Sequence, residues 1–141
     1  MTPEQIRLVR SSWPVVLGAA DGLAIHFYSH LFEIDDTAAR LFAAVDMVSQ
    51  RKKLTQSLDV VVNALDDPDQ LLPAVAALGK RHTRYGVEHH HFDSVGESLI
   101  SALGATLGDQ FTPELQGAWT EAYALVSSVM RRALIRASVP S

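Results

Sequence analysis

An imidazole, a phenol and a carboxamide are the side chains of this sequence whose types and positions best suit chemistry. His82 lies on the apolar face of a helical pattern, one turn after Leu78, and a neutral imidazole is a common ligand for iron or zinc. An isolated histidine on an apolar face is more often a satisfied core residue, so His82 alone leaves both readings open. Tyr28 and Gln50 carry hydrogen-bond donors, while Phe42 and Leu54 are apolar; together they suit a mostly apolar pocket with a few placed polar groups. The run His89-His90-His91 invites a metal reading, but consecutive helical residues point about 100° apart and are not expected to converge on one ion. His26 and His30 form an i, i+4 pair without a visible third ligand, and solvated histidines are the expectation. No Ser-His-Asp motif, carboxylate pair or phosphate loop is present, so hydrolase chemistry is not expected.

Composition narrows the classes. The chain has 141 residues, 48% of them apolar, without a single cysteine. That length suits one domain over residues 1–141. Lack of cysteine excludes disulfides, thiolate metal sites, thioether attachment of a cofactor and thiol catalysis. Sixteen acids against twelve bases give a net charge of -4 with no long block of like charges, so no nucleic-acid partner is expected. The opening MTPEQIRLVR is polar, unlike a signal peptide, and no run of about eighteen apolar residues is present. No membrane span and a cytoplasmic location are the expectations.

The elements that must position these groups read as helices. Thr2-Pro3-Glu4-Gln5 supplies a capping hydroxyl, a proline at the first helical position and a glutamine for a capping box. Leu23, Ala24, Phe27, Tyr28, Leu31 and Phe32 recur at intervals of three and four, an apolar stripe holding the phenol. Asp35-Asp36-Thr37 caps a short helix ending near Phe42, with Ala43 to Val48 as a loop and the next helix starting at about Ser49. Leu72, Val75, Leu78 and His82 are expected on one face of a further helix, stopped by Gly86. Phe92, Val95, Leu99, Leu103 and Leu107 mark another, and Thr112-Pro113-Glu114 opens the last, with Trp119 and Met130 as core and Tyr123 as core in preference to a neighbour of His82. Seven helices and no strand place the chain in the all-α class.

Several separated strings are similar to the haem domain of bacterial flavohaemoglobins and their single-domain relatives. They are His26-Phe27-Tyr28-Ser29-His30-Leu31-Phe32, Leu41-Phe42, Gln50-Arg51-Lys52-Lys53-Leu54, Lys80-Arg81-His82, Val95-Gly96-Glu97, and Ala118-Trp119 with Tyr123. The resemblance runs from the first helix to about Leu134 and implies a globin fold holding haem b. It implies His82 as the proximal iron ligand, Phe42 as the ring wedged against haem, Tyr28 and Gln50 as the distal polar pair, and Leu54 as the distal wall. Leu78, Val87 and Val95 would line the pocket. Arg81 would reach the haem edge, where a guanidinium can pair a propionate; Lys80 and Arg84 read as solvated charges.

The ligands implied are O2, NO or CO. A hydrogen bond to a charged group contributes about 1.5–3 kcal/mol, so two donors facing polarised O2 should hold it roughly 10 to 100-fold more tightly. The leading expectation is reversible O2 binding at five-coordinate ferrous iron, in a monomer or weak homodimer. The alternatives are NO dioxygenation or peroxide handling supplied by a separate reductase, and a sensor or haem-free descendant. The sequence departs from the family on the proximal side, where a Tyr and a Glu polarise the ligand. Phe92 stands at the tyrosine position and Leu134 at the place expected for the glutamate. Loss of that polarisation implies a less electron-rich iron.

Overall fold

A computed structural model describes residues 1–84 and 86–138, with backbone alone for 83–84 and 133–138. The all-α expectation holds: seven helices and no strand are found among the described residues. They are α1 (Pro3–Gly18), α2 (Ala20–Ile34), α3 (Asp36–Leu41), α4 (Met47–Asn63), α5 (Pro68–Arg84), α6 (His89–Leu107) and α7 (Pro113–Ser138), with a 3₁₀ turn at Gly108–Gln110. No single described helix is long and apolar enough to cross a membrane.

Local chemistry sets most boundaries. The Thr2 hydroxyl accepts from the Gln5 amide at 3.1 Å while the Gln5 side chain accepts from the Thr2 amide at 2.9 Å, the capping box read from the sequence. Thr112 Oγ1 accepts from the Leu115 amide at 3.2 Å and opens α7. The start of α4 differs from the sequence expectation. Asp46 is its cap, accepting from the Val48 amide at 3.1 Å and from Ser49 Oγ at 3.0 Å. Ser49 therefore lies within the first turn, because a carboxylate takes the N-terminal amides ahead of a hydroxyl three residues later.

The stripe of α5 is also corrected. Leu72 is 47% exposed, whereas Leu71 is 4% exposed, so the inward row is buried Leu71 and Val75 followed by half-buried Leu78 and His82, at helical spacing. In the packed molecule α2 lies against α6, while α7 lies against α5 and α1. The core runs through Val9, Val16, Leu23, Leu31, Val62 and Leu103. Trp13 and Trp119 are core as expected, their rings 6.1 Å apart. Their indole N–H groups donate to Asp59 at 2.7 Å and Ser12 Oγ at 2.9 Å, the partners that buried indoles need. His26 and His30 are not simply solvated: His26 Nε2 is hydrogen bonded to Ser101 Oγ and His30 Nδ1 to Ser98 Oγ, each at 3.0 Å, joining α2 to α6.

Candidate functional site

Residues of α2 through α7 enclose a cavity of about 240 Å³. Tyr28, Phe42, Gln50, Leu54, Leu78, Arg81, His82, Val87 and Val95 all line it. The structure therefore brings every residue singled out for a pocket to one place.

On the α2 and α4 side, Gln50 Nε2 donates to Tyr28 Oη at 3.1 Å. Tyr28 is 5% exposed, and burial raises its phenol above the usual value of 10.0, against a smaller lowering by Gln50. The hydroxyl thus stays protonated, and because its oxygen accepts from Gln50 its own proton is left to donate. An accepted hydrogen bond polarises that O–H and strengthens it as a donor. Phe42 meets Tyr28 edge-on at 5.4 Å and lies 5.6 Å from Phe32, fixing the phenol in an aromatic cluster. Leu54 follows Gln50 by one helical turn and packs against the core.

His82 stands in the last turn of α5. Its Nδ1 is 2.6 Å from the Leu78 carbonyl oxygen; a carbonyl only accepts, so Nδ1 carries the proton and a neutral ring has its lone pair at Nε2. Burial, the largest influence, lowers the ring below the usual 6.5, and the Arg81 charge lowers it further, against a raising by the Leu78 bond. The ring is neutral near pH 7. The chain leaves α5 at Gly86, whose φ is +81°, and the Val87 amide donates to the His82 carbonyl at 3.3 Å. This is the wrapped helix end that favours glycine, and it brings Val87 back onto the cavity. Tyr85, within that turn, lies outside the described residues, as does the Arg84 side chain. Arg81 and Lys53 are exposed residues that also line the cavity; Lys80 is exposed without lining it.

The α6 and α7 wall holds what the sequence reading missed. Tyr123, read as core, lines the cavity and donates its hydroxyl to the Phe92 carbonyl. Its ring lies where a Cβ on Gly96 would stand 2.7 Å from Cε2, so only glycine there admits it. Trp119 and Met130 are buried as expected and also line the cavity. His91, buried at 4% exposure, is a further lining residue. The signal for it was available: His91, Val95 and Leu99 form an i, i+4, i+8 row on α6. Phe92 is buried, with the Arg131 guanidinium 5.2 Å over its ring. The Leu134 side chain lies outside the described residues.

A flat apolar cofactor with one metal and two carboxylates is compatible with this donor set. One neutral imidazole with a fixed tautomer can ligate, apolar and aromatic side chains make the walls, and Lys53 and Arg81 offer charges to acidic groups.

A family model described as Globin matches residues 25–130, and the chain belongs to the globin family. Membership implies haem binding. Curated relatives named flavohemoprotein include those of Rhodopirellula baltica, 29% identical over 92% of this chain and 32% of the relative. Those of Vibrio cholerae and Bacillus subtilis are 26% and 28% identical, over 92% and 86% of this chain and 33% and 31% of theirs. The chain spans about a third of the length of these relatives.

Proposed function

We propose that this globin holds haem b through His82 Nε2 and binds O2 reversibly, with Tyr28 and Gln50 as donors to the bound gas. The observation that carries the reading is the Gln50 to Tyr28 hydrogen bond in an otherwise apolar cavity lined by His82. When bound, haem supplies a ferrous iron with one open coordination position. The residues do the rest. His82 presents one nitrogen because Leu78 holds the other. Tyr28, polarised by Gln50, would offer its O–H as a hydrogen-bond donor to a bound gas, and Gln50 would have a second amide hydrogen to add. Phe42 and Leu54 line the cavity and would keep water from a bound gas. Lys53 and Arg81 pair the haem carboxylates at the rim.

On the proximal side, the Leu78 carbonyl accepts from His82 Nδ1, and a carbonyl pulls on the ring proton less than a carboxylate does. This favours reversible binding over O–O cleavage. NO turnover is the second reading. The relatives' name joins flavin and haem, and this chain matches about a third of their length; this second reading takes its reducing equivalents from a flavin-containing reductase.

The test is the O2 dissociation rate of Tyr28→Phe by stopped flow. Loss of a donor to a charged acceptor, about 1.5–3 kcal/mol, should speed release roughly 10 to 100-fold. An unchanged rate would overturn the distal assignment.

A further inference from the structure

Away from the Tyr28 and Gln50 side, three polar side chains converge on one oxygen atom. Thr37 Oγ1 lies 2.6 Å from Asp35 Oδ1, 2.8 Å from His90 Nε2 and 2.8 Å from His91 Nε2. Asp35 sits at the corner between α2 and α3, while both histidines belong to the first turn of α6. The ligating atoms of Asp35, His90 and His91 all lie within 4.8 Å of one another. The expectation that consecutive histidines cannot meet fails here for a local reason. His91 turns back to the helix start, its Nδ1 accepting from the Glu88 amide at 2.9 Å, and this brings its ring within 4.1 Å of the His90 ring. His89 takes no part in the group.

We propose that Asp35, His90 and His91 form a binding site for a zinc-class divalent transition ion that ties α3 to α6. Two imidazole nitrogens and one carboxylate oxygen are the donor set that zinc takes with a fourth position left to water, and they are too nitrogen-rich for magnesium or calcium. The Thr37 hydroxyl holds the focal point at hydrogen-bond length. Ligation at the shorter metal distances needs each ligand to close in by roughly 0.5–0.8 Å and needs Thr37, which is exposed, to turn outward. His90 Nε2 and Asp35 Oδ2 are already 3.7 Å apart, near the edge length of a tetrahedral site. Two carboxylates supply negative charge there: that of Asp35, and that of Glu88 3.4 Å from His90 Nδ1.

Loading has a signature of its own. A metal on His91 Nε2 places that ring's proton on Nδ1, where the Glu88 amide now donates, so that hydrogen bond must break. Of the three proposed ligands only His91 also lines the cavity that holds His82.

The test is calorimetric titration of the full chain with Zn2+ in a non-coordinating buffer near neutral pH, beside amide NMR. One ion per chain is expected, with His90→Ala weakening uptake by at least about tenfold, the loss that even an outer-shell change produces. His89→Ala should stay within about twofold of the unaltered chain, and saturating zinc should shift the Glu88 amide resonance. The proposal is overturned by absent saturable uptake, by equal effects of His89→Ala and His90→Ala, by uptake that His26→Ala removes, or by an unmoved Glu88 amide at saturation.

Discussion

Two hydroxyl-bearing residues show how one atom's hydrogen-bond partners decide a role. Tyr28 accepts from Gln50 and keeps its proton to give away, whereas Tyr123 spends its proton on the Phe92 carbonyl. Only the first is placed to act as a donor to a ligand. The phenol and the carboxamide should also be coupled, because Gln50 polarises the hydroxyl it touches. Gln50→Leu is therefore expected to speed O2 release by less than Tyr28→Phe. The double variant should release O2 no more than a few-fold faster than Tyr28→Phe, since residues in one network are not additive. Stopped-flow rates for the three variants decide this; strictly additive effects would mean that the two donors act independently. Tyr28 and Gln50 were both legible in the sequence as candidates. Their meeting was not, because residues 28 and 50 lie on different helices and no local pattern states a contact across them.

Helical register offers a direct check on α5, the element that carries His82. Leu71 is buried and Leu72 exposed, so Leu71→Ala should cost about 2–5 kcal/mol of unfolding free energy, while Leu72→Ala should stay within about 0.5 kcal/mol. Urea denaturation of both variants measures it, and equal losses would contradict this register. The apolar pair Leu71-Leu72 made the sequence ambiguous by one residue, since either leucine continues a plausible stripe to Val75 and Leu78. Caps were easier to read. Thr2 with Gln5 and Thr112 with Pro113 carry their full chemistry within four residues. The Asp46 cap was overlooked because Ser49, a good capping residue, follows three positions later. The His91 turn and the serine partners of His26 and His30 depend on how α6 packs against α2 and α3, and tertiary contacts of that kind leave no local trace.

At the scale of the molecule, one buried carboxylate joins three elements and gives stability a predictable dependence on pH. Asp35 caps α3 through the Thr37 and Ala38 amides and accepts from Ser94 Oγ on α6 at 2.7 Å. Its carboxyl is lowered from 3.8 to about 2, chiefly by the Thr37 side chain and then by Ser94, against the opposing effect of burial. The folded state thus binds this proton less readily than the unfolded chain. The stabilisation is complete above pH 3.8 and is lost as pH falls from there towards about 2. With a chelator present, the stability difference between the unaltered chain and Asp35→Asn should shrink across that window; a difference independent of pH would contradict the coupling.

The central claim is that the His82 imidazole is the protein's bond to haem iron, and His82→Gly tests it most directly. The ferrous visible spectrum should lose its five-coordinate histidine-ligated form in the variant and regain it when free imidazole is added, because the small ligand can occupy the space the side chain leaves. A His82→Gly chain that takes up haem with the unaltered spectrum, before any imidazole is supplied, would contradict the account.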